Sequence, residues 1–169
     1  MIKAYFTREE YKRAWDAYFK ANKKRNVSKN TTAAVAGFVS EIVLCRLAGI
    51  VWKFAWDAAD IILCGLLHQL KSRLESGGGS YAKKTRFTIE HKSDYKDIDG
   101  GYIFSKVHLN TDASGWVEYY PNTYNKDWVE KNGISFNGWK MIDESKLETC
   151  DDSLMGDLNI LIQETKNAQ

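Results

Sequence analysis

The feature that most constrains the fold of this chain is a predicted helix that is apolar around nearly its whole circumference. Residues 32–48 contain only three strongly polar side chains, Ser40, Glu41 and Arg46, and Gly49 is expected to end the helix. A helix with apolar residues on every side is stable in water only when other elements cover it. The pattern therefore predicts a buried helix in a protein of several layers.

An amphipathic helix precedes this buried one, and several strands follow it. Thr7 and Glu10 form a predicted capping box at the start of a helix over about 7–22. Strands are predicted over 50–56, 59–63, 66–74, 85–93, 102–109, 115–120 and 136–143, with a helix near 124–131 and a last amphipathic stretch near 154–162. This order predicts an α/β fold that leans towards α+β, with a mixed central sheet flanked by helices.

Composition and length exclude several classes of protein. The chain has 169 residues, of which 44% are hydrophobic and 13% aromatic, which excludes an intrinsically disordered chain. No apolar run approaches the roughly 18–20 residues needed to cross a bilayer, and the charges near the first residue argue against a signal peptide. We therefore expect a cytoplasmic protein with no membrane partner. Cys45, Cys64 and Cys150 lack metal-site spacing and are expected to be buried free thiols.

The charges divide the chain unevenly. We expect a single domain over 1–169, with an N-terminal helix and basic connector (1–30), a core (31–147) and an acidic C-terminal tail (148–169). Residues 141–169 carry seven acids and two bases, whereas residues 1–140 carry 22 bases and 15 acids. A basic body of this kind is compatible with a polyanionic partner.

Two short basic segments are candidates for contacts with nucleic-acid phosphates. One follows the first helix, and the other follows a glycine-rich loop at 77–79. Lysine and arginine side chains supply the sequence-independent part of nucleic-acid binding, although a solvated connector has the same composition. The candidate nucleic-acid-binding residues are Lys23, Lys24, Arg25, Lys83, Lys84 and Arg86.

A predicted hairpin carries the residues best suited to metal binding and catalysis. Asp60 opens its first strand, Cys64-Gly65 forms the turn, and the second strand carries Gln69 and Lys71. Side chains alternate along a strand, so Gln69 and Lys71 share a face, and hairpin pairing brings Asp60 alongside Gln69. With Glu41 from the buried helix, these oxygens would suit Mg²⁺ or Mn²⁺. The alternative is an ordinary hairpin with a solvated Lys71 and an ion-paired Glu41.

This arrangement resembles the PD-(D/E)xK (restriction-endonuclease-like) nuclease superfamily, whose core is a helix followed by a hairpin bearing Asp…(Asp/Glu)-x-Lys. Asp60 takes the place of the motif aspartate, Gln69 that of the second ligand, and Lys71 that of the lysine. Glu41 resembles the glutamate that the helix often contributes. The order of elements is similar over roughly 31–147, in the manner of small phage and bacterial members, and the motif itself covers 41–73.

The resemblance implies a restriction-endonuclease-like fold and a metal-dependent nuclease, an enzyme that hydrolyses phosphodiester bonds. It implies that Asp60, Gln69 and Glu41 bind Mg²⁺, for which Mn²⁺ would substitute. It also implies that Lys71 orients or deprotonates the attacking water. The substrate is expected to be DNA rather than RNA, cut by an endonuclease. Because double-strand cutting by this chemistry usually uses two active sites, a homodimer is also expected.

Several alternatives remain open. Glu90-His91-Lys92 is a second acid-x-lysine triplet, and in this rival assignment Glu90 and Lys92 replace Gln69 and Lys71. Because Gln69 stands where the family has an acid, the chain would alternatively be a catalytically decayed nucleic-acid-binding or inhibitor protein on the same scaffold. A structural or interaction protein without a polyanionic partner is a third class.

The tryptophans and tyrosines over 116–139 would either pack in the core or stack on unpaired bases.

Overall fold

The computed structural model describes residues 1–25, 31–54, 61–76, 86–89, 98–136, 139–149 and 156–169. The helices are α1 (Arg8–Arg25), α2 (Thr31–Leu47), α3 (Lys126–Asn132), α4 (Glu144–Glu148) and α5 (Leu158–Asn167). The strands are β1 (Ile2–Phe6), β2 (Ile61–Leu63), β3 (Leu66–Ser76), β4 (Arg86–Ile89), β5 (Gly101–Leu109), β6 (Gly115–Tyr119), β7 (Asn122–Thr123), β8 (Ile134–Phe136), β9 (Trp139–Asp143) and β10 (Gly156–Asp157).

A five-stranded mixed sheet forms the centre, in the order β1-β6-β5-β3-β2. Its strands β3 and β5 pair in parallel, and the other neighbours pair antiparallel. A second sheet has the order β4-β9-β8, and β10 pairs with β7. The mixed α/β fold class and the mixed central sheet are therefore confirmed.

The helical layer begins as the sequence predicts. The backbone N–H of Thr7 donates to Glu10 Oε2 (3.0 Å), and the backbone N–H of Glu10 donates to Thr7 Oγ1 (3.2 Å). These two bonds are the predicted capping box, and they satisfy amides that have no partner within the helix. The buried helix α2 follows and stops before Gly49, which has a φ of +69°.

The two faces of the central sheet are covered by two different apolar clusters. Leu70 and Leu74 of β3 pack with α2 on one face. Tyr102 and Phe104 of β5 pack on the other face with Phe87 of the second sheet. Because side chains alternate along a strand, every position of β3 therefore points towards one covering layer or the other.

The structure departs from the elements expected from sequence, or adds to them, in three places. No strand forms at 50–54, where Trp52 and Phe54 instead pack as an irregular segment near Phe38. The five residues of β1 were not predicted, because their pairing partner β6 lies far away in sequence. Residues 148–169 are more than an acidic tail, since α5 contributes buried Leu158 and Ile162 to the core that surrounds α2.

The cysteines divide between the core and the surface. Cys45 and Cys64 are both free thiols, as expected, but Cys64 is exposed in the hairpin turn rather than buried. Burial, with a smaller contribution from Glu41, raises the pKa of Cys45 to about 12 and keeps it a neutral thiol. Cys150 lies outside the described residues. Among the helices that the structure describes, none is long and apolar enough to span a membrane.

A chain of three serine hydroxyls joins α2 to the parallel strand pair. Ser105 Oγ of β5 lies 2.7 Å from Ser40 Oγ of α2 and 2.8 Å from Ser72 Oγ of β3. Ser40 and Ser105 are fully buried. A buried hydroxyl that loses its partner pays the cost of desolvation without compensation, so the central member of the chain matters most.

We expect Ser105→Ala to lower the free energy of unfolding by about 1–3 kcal/mol, because it leaves two neighbouring hydroxyls without their shared partner. Urea denaturation followed by tryptophan fluorescence measures this change. Ser135→Ala, at an exposed position of β8, is the matched control and should stay within about 0.5 kcal/mol of wild type. Equal effects of the two substitutions would contradict a role for the serine chain.

Candidate functional site

The predicted hairpin is present between β2 and β3. Ile61 pairs with His68 and Leu63 with Leu66, across a two-residue turn. Both turn residues have positive φ values, +51° at Cys64 and +75° at Gly65. Two such residues give a turn whose twist matches that of the flanking strands. The hairpin and its register are therefore confirmed for the residues that the structure describes.

Gln69 and Lys71 lie on the same face of β3, as the alternation of side chains predicts. This face is opposite to Leu70, which packs in the cluster around α2. In the parallel register, Gln69 pairs with Tyr102 and Lys71 with Phe104. Gln69 is buried and Lys71 is half-buried. The strand therefore places an amide and an ammonium side by side at the layer between the two sheets.

The predicted carboxylate partners of Gln69 and Lys71 lie outside the described residues. These are Asp60 of the favoured assignment and Glu90, with Lys92, of the rival one. The observed register ends at Ile61↔His68, one position before the pairing of Asp60 with Gln69 that the favoured assignment requires. The convergence of Asp60, Gln69 and Lys71, and the choice between the two triplets, stay predictions.

Glu41 lies in the helical layer rather than on the face that carries Gln69 and Lys71. Its Oε2 accepts a hydrogen bond from Trp52 Nε1 at 2.9 Å, and Trp52 belongs to the cluster that packs around α2. The indole N–H thus supplies one of the partners that a half-buried carboxylate needs. That Glu41 shares a metal ion with Asp60 and Gln69 stays a prediction, because Asp60 lies outside the described residues.

A charged cluster lies next along the same face of β3. Arg73 Nη2 donates to Glu144 Oε2 (2.8 Å) and to Glu75 Oε2 (2.6 Å). Glu144 Oε1 accepts from Lys106 Nζ (2.8 Å) and from the hydroxyl of Tyr120 (2.7 Å). One carboxylate from α4 therefore joins β3, β5 and the segment after β6.

The electrostatics of this cluster favour an ionised Glu144. Burial opposes the charge, but hydrogen bonds from Lys106, Tyr120 and Arg73 outweigh it and lower the pKa of Glu144 to about 2. Burial and the bond to Glu144 raise the pKa of the Tyr120 hydroxyl, which therefore remains a donor. Arg73 is buried and its guanidinium lies 5.3 Å from the ring centroid of Phe87.

Sequence reasoning missed this cluster. Arg73 lies two positions after Lys71, so the alternation of side chains along a strand predicts that the two share a face. Its main partner Glu144 is 71 positions away in a different element, however, and nothing in the local pattern relates the two. Only the packing of the second sheet on the first brings them together.

The basic residues predicted to contact phosphates are only partly described. Arg86 opens β4, its side chain is half exposed, and its Nε lies 3.5 Å from Asp143 Oδ2. Lys23, Lys24 and Arg25 belong to the last turn of α1. Lys83 and Lys84 lie outside the described residues. A role for these residues in binding nucleic acid stays a prediction.

The aromatic residues over 116–139 divide between the two interpretations. Tyr119, Tyr120 and Tyr124 are buried in the core, as the packing interpretation predicts. Trp116 is only half-buried and stacks on His108, with ring centroids 4.5 Å apart. The sheet face that carries this pair is therefore not closed by core packing.

The function of this site is identified neither by a group of metal ligands nor by similarity to a known protein. Among the described residues, no group of three or more histidine, cysteine, aspartate or glutamate side chains is placed to hold a metal ion. The predicted donors are nevertheless oxygens, the type that Mg²⁺ takes, and the amide of Gln69 fits this chemistry. The chain matches no known protein family and no curated protein.

We expect Glu144→Gln to lower the free energy of unfolding by about 1–3 kcal/mol at pH 7, because charge-assisted hydrogen bonds to three side chains are weakened. The folded-state pKa of about 2 lies below the ordinary value of 4.5. The stabilisation is therefore complete above about pH 5 and is lost as the pH falls towards 2. Urea denaturation of both proteins across this range measures the difference.

The matched control is Glu148→Gln, at an exposed position of the same helix, which should change stability by less than about 0.5 kcal/mol. A difference between Glu144→Gln and wild type that does not shrink below pH 5 would contradict the charge-based account.

Proposed function

We propose that this protein is a metal-dependent nuclease that hydrolyses phosphodiester bonds in nucleic acid, with DNA as the favoured substrate and endonucleolytic cutting as the mode. The observation that supports the proposal is the position of Gln69 and Lys71 on one face of a hairpin strand that follows the buried helix α2. This is the arrangement in which a PD-(D/E)xK motif, on a restriction-endonuclease-like fold, would carry its second ligand and its lysine.

Under this proposal, Asp60 and Gln69 would hold Mg²⁺ or Mn²⁺, whereas Glu41, the third predicted donor, lies in the helical layer and is not counted among these ligands. Such an ion, when bound, would polarise a phosphate oxygen and lower the pKa of a bound water. The side chain of Gln69 is buried. In the rival assignment, Glu90 and Lys92 would take over the parts of Gln69 and Lys71.

Lys71 would orient the attacking water and stabilise the charge that develops on the phosphate. Its strand neighbour two positions on, Arg73, is already neutralised by Glu75 and Glu144, and Lys106 is neutralised by Glu144. These carboxylates keep two nearby cations in fixed pairs. The role in turnover is proposed for Lys71 because of its place in the Gln-x-Lys motif.

We expect Lys71→Ala to lower turnover by about 10²–10³, the scale of one preorganised electrostatic contact, while metal binding and folding change little. Cleavage of mixed DNA substrates with Mg²⁺, Mn²⁺ and EDTA measures the effect. Lys131→Ala, an exposed lysine in the last turn of α3, is the control and should cleave like wild type. Unchanged cleavage by Lys71→Ala would refute the assignment of Lys71 and favour Lys92.

We expect Gln69→Glu to tighten Mn²⁺ binding by about fivefold or more, because one further unit charge about 4 Å from a cation contributes on the order of 1 kcal/mol even in water. Without metal, the added charge should slightly destabilise the protein and raise the pKa of a neighbouring carboxyl. Titration calorimetry with Mn²⁺ measures the affinity.

Gln163→Glu makes the same chemical change at an exposed position of α5 and should leave Mn²⁺ affinity within about twofold of wild type. If Gln69→Glu behaves like this control, residue 69 does not face the metal.

A second candidate is a catalytically decayed nucleic-acid-binding or inhibitor protein on the same scaffold. The observation that favours it is the neutral amide of Gln69 where the motif has an acid. Binding of DNA by the wild type in both Mg²⁺ and EDTA, with no cleavage in either, would support this candidate. Sedimentation of the DNA complex would test the expected homodimer.

A further inference from the structure

A row of three rings crosses the outer strands of the central sheet. Tyr5 of β1, Trp116 of β6 and His108 of β5 occupy directly paired positions. The rings of Trp116 and His108 are nearly parallel, at 8°, and the ring centroids of Tyr5 and Trp116 lie 6.4 Å apart. We call Tyr5, Trp116 and His108 the aromatic row.

The aromatic row lies on the open part of a face that is elsewhere covered. The alternate residues of these strands, Ala4, Val107 and Val117, point into the core around α2, so the row faces the opposite way. The second apolar cluster covers this side at Tyr102 and Phe104 but does not include the row. The side chain of Tyr5 is 66% exposed, which is unusual for an aromatic ring that serves packing alone.

A cation accompanies the rings. Lys3 Nζ lies 4.6 Å from the ring centroid of Trp116 and 5.1 Å from that of Tyr5. Among the described residues, Lys3 has no carboxylate partner within ion-pair distance, since Glu118, which pairs with it in the strand register, is bonded to His108 Nε2 at 2.7 Å. The ammonium therefore rests over π-faces and remains accessible to a negatively charged ligand.

Rings beside an accessible cation fit a planar ligand that carries negative charge. A nucleotide in a single strand has both properties, because its base presents a free face for stacking and its phosphate carries the charge. In a duplex, the base faces are covered by their neighbours, and the rings would have nothing to stack on. Aromatic side chains on an open sheet surface bind unpaired bases in this way in other folds.

The row also shares its face with the proposed catalytic lysine. Lys71 pairs with Phe104, and His108 lies four positions further along β5, a distance of about 13 Å at roughly 3.3 Å per residue. Lys106 lies between them on the same face. The row therefore lies on the open part of the face whose covered part carries Lys71.

We propose that the aromatic row with Lys3 is a binding surface for single-stranded nucleic acid, in which unpaired bases stack on Tyr5 and Trp116 and Lys3 contacts a phosphate. This inference depends on the proposed function only in taking nucleic acid as the ligand. It specifies that the substrate includes a single-stranded segment, such as a flap, an overhang or an unpaired loop.

Fluorescence anisotropy with a fluorescein-labelled 20-nucleotide dT strand in EDTA tests the surface without cleavage. Tyr5→Ala and Trp116→Ala should each weaken binding by about 5- to 150-fold, the range that corresponds to loss of one stacked base. Trp116→Phe should restore most of the affinity, and Lys3→Gln should reduce the slope of log K against log salt concentration by about 1, as expected for the loss of one phosphate contact. A duplex of the same length should bind more weakly than the single strand.

The matched control is Ile160→Ala, an exposed apolar residue of α5, which should bind like wild type. The surface is refuted if the wild type does not bind the dT strand, if Tyr5→Ala and Trp116→Ala both bind it within twofold of wild type, or if duplex and single strand bind equally well. Tyr5 is largely exposed, so its truncation tests the surface even if the Trp116 variant is unstable.

A parallel cleavage assay separates this inference from the proposed function. Weaker dT binding by Tyr5→Ala together with wild-type cleavage by Lys71→Ala would retain the surface and refute the catalytic assignment. Wild-type dT binding by Tyr5→Ala and Trp116→Ala together with loss of cleavage in Lys71→Ala would retain the nuclease and refute the surface.

Discussion

The parallel pairing of β3 with β5 is the constraint on which the rest of the structure depends. Parallel neighbours cannot be joined by a tight turn, so the chain between them has to leave the sheet and return. Within that connection, β4 pairs with β9 in the second sheet instead of joining the first. The second sheet therefore packs on the face that α2 does not cover, and the part of the β3–β5 pair around Phe104 becomes buried on both faces.

Burial of both faces determines where the charges of β3 find partners. Arg73 points towards the second sheet, where a cation without a counter-charge would be costly. Glu144 supplies that charge from the first turn of α4, directly after the end of β9. The same carboxylate binds Lys106, so one acidic side chain after β9 contacts cations from both β3 and β5.

Local patterns in the sequence predicted local structure well. The capping box at Thr7, the buried helix that ends before Gly49, the turn at Cys64-Gly65 and the shared face of Gln69 and Lys71 all depend on neighbours within a few positions. Such interactions leave a periodic or spaced signal that a single sequence carries.

Features that depend on distant partners were not predictable in the same way. The strand β1 is too short to show alternation clearly and is defined by its pairing with β6. Trp52 lies in a run that reads as a strand, yet its indole bonds to Glu41 and its backbone carbonyl accepts from Arg13. The Arg73–Glu144 pair likewise depends on tertiary packing, which overrides local propensity.

The position of β1 at the edge of the sheet has a consequence for the order of folding. Its residues pair with β6 more than one hundred positions later in the chain, and contacts of such separation carry a large loop-closure cost and form slowly. The hairpin of β5 and β6 joins neighbouring segments and needs no such closure. We therefore expect β1 to be the last strand added to the sheet. The surface that spans β1, β6 and β5 would then exist only in the fully folded chain, and not in its partly folded intermediates.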